Sequence, residues 1–238
     1  MKWIALTILG LTLAAGVFAE PGQREEGEDV LQKYLATNDA QKDKLKGFQM
    51  EVQIEAQIPK LHKEGKMNAL RLISNLGKIS YKMLNYRGDD TVKKEVIARY
   101  MQAETQAKSD AKSVDITPEN YKFKYKGLRL DGNRQIHLFE VKPKEKRVGL
   151  FKGELWIDAK TNLPVRESGQ FVKNPSIFLK KVEFTRDYEL KDGVAIPKHI
   201  ESRVDTRLVG VTQIDINYDN IRKAAEGEDS VDEARTAQ

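Results

Sequence analysis

Residues 49–58 read QMEVQIEAQI and alternate polar with apolar side chains without a break. A period of two over ten residues is typical of a β-strand with one dry face and one wet face, as in an antiparallel sheet covered on one side. Pro59 ends this strand, and the same alternation returns late in the chain, at 200–208 and 213–218. We therefore expect an amphipathic sheet whose apolar face is covered by other parts of the chain.

The second half of the chain, from Tyr121 onward, is predicted to be all β. Short connections made of turn-forming residues, such as 159–162 and 191–193, separate its apolar segments. Connections this short cannot hold crossover helices, so successive strands are expected to pair antiparallel. The predicted strands lie at 121–125, 135–142, 149–158, 163–171, 180–190, 194–208 and 210–218.

Two segments with helical spacing are the candidates to cover the dry face of the sheet. Asp29 is a good N-cap, and the apolar residues of 30–35 recur at the spacing of one helix face. A second helix-like pattern runs over 91–107. The stretch 67–86 favours one or two further strands, although its leucines would also suit a helix.

Residues 1–19 have the pattern of a secretory signal peptide. Lys2 precedes an almost wholly apolar run at 3–17, and 17–19 (VFA) ends in the small residues that signal peptidase requires. We expect cleavage after Ala19 and export of the mature chain. An uncleaved anchor is the competing interpretation, but the apolar run is shorter than the roughly 18 residues that a spanning helix needs.

The exported chain is predicted to form one domain with loose ends. We expect a flexible leader at 20–28, a single domain at 29–221 and a disordered tail at 222–238. The sequence holds no Cys, which excludes both disulfides and an acylated N-terminal Cys. Its 41 basic and 36 acidic residues give a net charge of +5, a mixed surface rather than a nucleic-acid footprint. We expect a soluble monomer that does not bind nucleic acid.

No pattern in the sequence indicates catalysis or a metal centre. His62, His137 and His199 are scattered, and no Cys is available to complete a zinc site with them. The sequence has no Gly-Xaa-Ser-Xaa-Gly elbow, no Walker loop and no dinucleotide-binding glycine pattern. We therefore expect no cofactor, no metal and no enzymatic activity. An esterase- or glycosidase-like enzyme is the least favoured alternative, since carboxylates can converge in three dimensions without any spacing in the sequence.

The most distinctive hairpin is GLFKGELWID at 149–158 followed by TNLPVR at 161–166. Asp158 opens a tight turn, and Pro164 starts the returning strand, where its missing N–H breaks no ladder bond. This pattern resembles the hairpin of the outer-membrane lipoprotein-sorting (LolA-type) carriers and of their relatives, the RseB-type periplasmic stress regulators. The order of elements agrees over most of the mature chain, and the sequence-specific likeness covers 149–218.

The resemblance implies an α+β, mainly β fold: a curved, unclosed antiparallel half-barrel whose concave face is covered by helices. It implies a periplasmic carrier that holds the acyl chains of a lipid or lipoprotein in an apolar cavity and transfers them toward the outer membrane. The alternative is an RseB-like sensor that contacts another protein, such as an envelope membrane protein, without transport. The carriers latch their lid helices with an arginine early in the sheet; Arg71 lies in that region, and we assign it no such role from the sequence.

The candidates for ligand contact are apolar and aromatic residues of the predicted strands. Phe151 and Trp156 lie five residues apart on one strand, so they fall on opposite faces and only one of them can face the cavity. The cavity candidates are Val52, Ile54, Phe151, Leu155, Trp156, Phe184, Ile214 and Ile216.

Overall fold

The computed structural model describes residues 21–109, 114–174, 178–207 and 209–224. The strands are β1 (Phe48–Ile58), β2 (Lys63–Ile73), β3 (Ile79–Gly88), β4 (Tyr121–Asp131), β5 (Arg134–Pro143), β6 (Phe151–Asp158), β7 (Pro164–Phe171), β8 (Leu179–Lys191), β9 (Val194–Thr206) and β10 (Val211–Lys223). They form one antiparallel sheet in the order β3-β2-β1-β10-β9-β8-β7-β6-β5-β4, and a 3-10 turn (Pro59–Leu61) joins β1 to β2. Strands β3 and β4 are its two edges, so within the described ranges the sheet is unclosed.

Two helical segments lie on one face of this sheet. Helix α1 (Pro21–Lys44) precedes β1, and a helix that we call the 90–109 helix follows β3. The 90–109 helix consists of α2 (Asp90–Val92), a π-turn (Lys93–Ile97) and α3 (Ala98–Ser109). This arrangement confirms the predicted α+β, mainly β half-barrel with helices on one side.

The pairing of β1 defines the inner face, which is the face that carries the helices. Met50, Val52 and Ile54 point to this face and are 0–1% exposed, while the polar residues between them point to the outer face. Ile54 pairs with Met67 of β2 and with Ile216 of β10, so the inner face continues across the neighbouring strands. The alternation of 49–58 therefore separates an apolar inner face from a polar outer face, as the sequence predicts.

The inner face holds two hydrophobic clusters, and each has its own helical cover. The first cluster comprises Met50, Val52, Ile54, Ala56, Ile58, Met67, Val92, Ile97, Ile200, Ile214, Ile216 and Tyr218. The second cluster comprises Val30, Tyr34, Tyr121, Phe139, Val141, Leu150, Phe151, Leu155 and Ile157. Val92 and Ile97 belong to the 90–109 helix, whereas Val30 and Tyr34 belong to α1. Each helical segment thus buries one part of the apolar face.

Helix α1 is longer than the sequence predicts because its first turns pack on the sheet. It begins at Pro21 rather than Asp29, so the stretch predicted as a flexible leader is helical from Pro21 onward. Gly27 is buried so closely that an added Cβ would lie 2.6 Å from the Cβ of Tyr125. The Tyr125 hydroxyl also donates a hydrogen bond to Glu26 Oε1 at 2.9 Å. These contacts join residues about a hundred positions apart, so the spacing of residues within the helix does not predict them.

The remaining sequence predictions of strands agree closely with the structure. Every strand predicted in the second half is present, and 67–86 contributes to two strands, β2 and β3. Strand β10 runs to Lys223, so the first residues of the predicted tail belong to the sheet. The predicted signal peptide at 1–19 and the tail from 225 onward lie outside the described residues. No helix in the described ranges is both long and apolar enough to cross a membrane.

The hairpin between β6 and β7 has the predicted turn. Asp158 Oδ1 accepts hydrogen bonds from the Thr161 backbone N–H at 2.8 Å and from the Thr161 hydroxyl at 2.7 Å. Asn162 adopts a φ of 57°, a left-handed conformation that Asn tolerates well. Pro164 begins β7. The Asp-turn-Pro pattern of the sequence therefore forms the tight connection it predicts.

Candidate functional site

The structure places seven of the eight predicted cavity residues on the inner face. Those in the first cluster are Val52, Ile54, Ile214 and Ile216, and those in or against the second are Phe151, Leu155 and Phe184. Trp156 is the exception, because strand alternation turns it to the outer face. There its Nε1 donates to Glu154 Oε2 at 3.0 Å, and the Arg166 guanidinium lies 4.9 Å from its ring. Phe151, not Trp156, faces the helices.

Six of these seven inner-face residues are no more than 8% exposed. They pack against one another and against the helices as ordinary core residues do. A ligand could reach them only if a helix moved away from the sheet. Phe184 is the one predicted residue on the inner face that is partly open in this structure.

Between the two clusters, strands β7, β8 and β9 carry partly exposed apolar side chains. Phe171, Phe184 and Val204 lie on the inner face and are half-buried, and we call these three residues the central strip. The Phe184 ring lies 5.2 Å from the Phe171 ring and 5.0 Å from the Phe151 ring, measured between centroids. Val204 packs against the first cluster. The central strip therefore connects the two clusters across the middle of the inner face.

A buried ion pair fastens the 90–109 helix to the sheet beside the first cluster. Arg71 of β2 is 4% exposed, and its Nη2 and Nε lie 2.7 Å and 3.2 Å from Glu104 Oε1. The Tyr81 hydroxyl donates to the other oxygen of Glu104. The hydroxyls of Tyr100 and Tyr218 lie 3.4 Å apart and add a second polar contact between helix and sheet. Arg71 thus joins the 90–109 helix to β2.

Neighbouring side chains keep the Glu104 carboxylate ionised and the Tyr81 hydroxyl protonated. Burial alone would raise the pKa of Glu104, but the Arg71 guanidinium and the Tyr81 hydroxyl lower it below its usual value. Burial and the Glu104 carboxylate raise the pKa of Tyr81 well above its usual value, so this phenol keeps its proton and donates it. At neutral pH the group is therefore a hydrogen-bonded carboxylate–guanidinium pair.

A second polar group lies on the inner face at the central strip. Arg186 of β8 donates through Nη1 to Glu167 Oε2 at 3.0 Å, and the Tyr188 hydroxyl donates to Glu167 Oε1 at 2.8 Å. Glu167 is 7% exposed, whereas the Arg186 side chain is 37% exposed. The Arg186 guanidinium also lies 5.8 Å from the Phe184 ring. A partly open cation therefore adjoins the aromatic residues of the central strip.

Sequence reasoning missed Arg186 and Glu167, although a weak signal was present. In β8 the inner-face positions run Val182, Phe184 and Arg186, so a charged residue occupies a position where the pattern calls for an apolar one. Glu167 interrupts the inner face of β7 in the same way. The pairing of β7 with β8 places Glu167 opposite Arg186. Such pairing of distant residues cannot be predicted from one sequence.

The outer face has a separate depression of about 520 Å3 across β1, β8, β9 and β10. Eight polar outer-face residues line it, and they are Glu55, Gln57, Glu183, Thr185, Glu201, Arg203, Gln213 and Asp215. Beside it, His199 Nε2 lies 3.4 Å from Glu201 and 3.4 Å from Asp215, and these three residues are the one group in the described ranges whose spacing could hold a metal ion.

The contacts of His199 are also those of an ion pair. Burial alone would lower the pKa of His199, but its bonds to Asn217 and Glu201 and the charge of Asp215 raise it. A protonated imidazole at this position would pair with both carboxylates.

The fold defines this chain as an unclosed antiparallel half-barrel protein with helices on one face. Among solved structures, it is similar to a DUF1329 family protein from Desulfovibrio piger, with a TM-score of 0.50 and 13% identity over 89% of this chain and 98% of that chain. A LolA superfamily protein from Nitrosomonas europaea matches with a TM-score of 0.46 and 12% identity over 84% and 96% of the two chains. An outer membrane lipoprotein-sorting protein domain from Vibrio parahaemolyticus matches with a TM-score of 0.45 and 13% identity over 90% and 98%.

These similarities concern the fold, because every identity is 13% or lower. No family model matches the chain, and no curated protein matches it either. The fold implied by the resemblance of the 149–166 hairpin agrees with that of the DUF1329 family protein.

Proposed function

We propose that this protein binds the acyl chains of a lipid or lipidated protein on the inner face of its sheet, between α1 and the 90–109 helix. In this proposal it works in the periplasm, carries its cargo toward the outer membrane and does no covalent chemistry. The observation that carries the proposal is the central strip. Phe171, Phe184 and Val204 stay half-buried in the middle of an apolar face whose two flanks are closed by helices.

The chemistry of the strip suits a flexible apolar ligand. Each methylene group removed from water contributes about 0.8 kcal/mol. Ten methylenes would contribute about 8 kcal/mol before the costs of association and of ordering the chain are subtracted. Binding of this kind requires apolar and aromatic side chains and a few polar groups at one end, and no catalytic residue.

A long acyl chain would need more room than the strip offers, and α3 is the element best placed to provide it. Val92 and Ile97, which are 0% exposed, hold the first turns of the 90–109 helix on the first cluster. Beyond them, α3 is attached through Tyr100 and Glu104 to polar partners on the sheet. The π-turn between these parts interrupts the regular helix, a feature often found at functional positions. In the proposal, α3 moves about this turn and exposes part of the first cluster.

The first test is whether the exported protein carries lipid. The chain expressed with its first nineteen residues and purified from a periplasm without detergent should show bound lipid masses by native mass spectrometry. Phe184→Ser should lose them, because it places a hydroxyl in the middle of the strip. Trp156→Ser is the matched control, since Trp156 lies on the outer face and its loss should leave the lipid bound. A wild-type protein that is free of lipid and takes up none from vesicles would contradict the proposal.

The second test separates a carrier from an RseB-like sensor. The lipid-loaded protein is incubated with empty vesicles and then separated from them by flotation. A carrier should release its lipid to the vesicles within the incubation. Retained lipid together with stable capture of one envelope membrane protein would favour the sensor.

A further inference from the structure

We infer that Arg186 forms an anion-binding subsite, and that the preferred ligand is an acyl chain with an anionic head group, a carboxylate or a phosphate. The inference rests on the proposed function, because it assumes that the chain lies on the central strip. It adds the chemical class of the head group, the residue that binds it and the orientation of the ligand.

Arg186 has unused hydrogen-bonding capacity. A guanidinium carries five N–H donors. Arg186 uses Nη1 alone, toward Glu167 at 3.0 Å and the Tyr188 hydroxyl at 3.5 Å. Within the described parts of the chain, its Nε and Nη2 have no hydrogen-bond partner, and the side chain is 37% exposed. One edge of the guanidinium is therefore available to an acceptor from outside.

This free edge of the guanidinium lies at one end of the apolar inner face of β8. Arg186 and Phe184 are two residues apart on the inner side of β8, and the guanidinium lies 5.8 Å from the Phe184 ring. Val182, a further two residues along β8, pairs with Val204 of the central strip. At about 3.3 Å per residue, Arg186 and Val182 are roughly 13 Å apart along the strand. A ligand can thus place its head group at Arg186 and its chain along Phe184 toward Val204.

The geometry of a guanidinium selects the head groups that it binds best. Its planar fork binds a carboxylate or a phosphate through two parallel hydrogen bonds, which are stronger than bonds to a neutral oxygen. Glu167 holds the Nη1 side and fixes the orientation of the fork, so little side-chain entropy remains to be lost on binding. A neutral hydroxyl head group would form a single weaker bond. We expect an anionic ligand to bind about tenfold more tightly than a neutral one of the same chain length.

The test compares three ligands with one sixteen-carbon chain: palmitate, hexadecyl phosphate and hexadecanol. Dissociation constants are measured for the mature chain at pH 8 and constant ionic strength, below the concentration at which each ligand aggregates. Wild type should bind palmitate, hexadecyl phosphate or both about tenfold more tightly than hexadecanol. The comparison of the two anions shows whether a carboxylate or a phosphate is the better fit.

Substitutions test whether Arg186 causes the preference for anionic ligands. Arg186→Gln should abolish the preference for the anions and leave the affinity for hexadecanol within about threefold. Arg166→Gln is the matched control, because Arg166 pairs with Asp187 on the outer face and its loss should change neither value. If Arg186→Gln unfolds because Glu167 loses its partner, the Glu167→Gln/Arg186→Gln double variant provides the same comparison with both charges removed.

The outcomes separate this inference from the proposed function. The subsite would be overturned if wild type bound all three ligands equally tightly. It would also be overturned if the preference for anions persisted in Arg186→Gln and in the double variant. Neither result would contradict the acyl site. Failure of all three ligands to bind would overturn the proposed function together with the subsite.

Discussion

Arg71 Nη2 lies 2.7 Å from Glu104 Oε1, and this ion pair connects strand β2 to the end of the helical segment that covers the first cluster. Arg71 is 4% exposed and has no other carboxylate among its bonds in the described residues, so Glu104 alone neutralises it. Together with the Tyr100–Tyr218 contact, the pair therefore holds α3 against the sheet. The same helix is the one that moves in the proposed function.

Replacing Glu104 by Gln should loosen this connection. We expect Glu104→Gln to lower the free energy of unfolding by about 1–3 kcal/mol, because a buried guanidinium loses its countercharge while one hydrogen bond can persist. Urea unfolding measures the change. The matched control is Glu95→Gln on the same helix, whose partner Arg99 is exposed; it should change stability by about 0.5 kcal/mol or less. Equal effects of the two substitutions would contradict the assigned role of Glu104.

The contribution of Glu104 should depend on pH in a defined direction. Its pKa is lowered in the folded protein, so the stabilisation is fully present above the usual Glu value of about 4.3 and is lost as the pH falls through the lowered folded value. The difference in unfolding free energy between wild type and Glu104→Gln should therefore be constant from pH 7 to about 5 and shrink below about pH 4. A difference that stays the same down to pH 3 would show that the carboxylate charge is not its cause.

The packing of the first turns of α1 predicts opposite effects of two glycine substitutions in one helix. Gly27→Ala should destabilise the protein by about 1–3 kcal/mol, because the new Cβ would meet the Tyr125 side chain at 2.6 Å. Gly22→Ala should be neutral or stabilise by up to about 1 kcal/mol, since nothing lies within 4 Å of the added Cβ and Ala has the higher helix propensity. Thermal unfolding of both variants checks this. Stabilisation by both would mean that residue 27 does not contact the sheet.

Much of this fold could be predicted because its strands repeat one local rule. Residues 49–58 and the late strands place apolar side chains at every second position, and turn residues separate them, so the strands and their antiparallel pairing are readable from the chain. The start of α1 was predicted wrongly, because the contact of Gly27 with Tyr125 joins distant residues. Local signals favoured Asp29 as the first residue, and a tertiary contact decided otherwise.

The candidate site was predictable only in part for a related reason. Alternation predicts on which face of its own strand Val52, Ile54 or Phe151 lies, and in the structure all three lie on the inner face. Alternation does not predict which inner-face residues a helix will cover. Phe184 is half-buried while Ile216 is 0% exposed, because the helical segments cover the inner face unevenly. Helix α1, for example, reaches β9 through Gln41, whose Oε1 accepts a hydrogen bond from the Ala195 backbone N–H. The meeting of Arg186 with Glu167 likewise depends on strand pairing.

The most direct test of an acyl site on the inner face is photo-cross-linking with residue-level mapping. Palmitate that carries a diazirine near the end of its chain is bound to the protein without residues 1–19, irradiated, and located by peptide mass spectrometry. The account predicts adducts at the central strip, on Phe171, Phe184 or Val204, and their loss when unlabelled palmitate competes. Adducts confined to outer-face residues such as Trp156 or Arg203, or none that palmitate competes away, would contradict it.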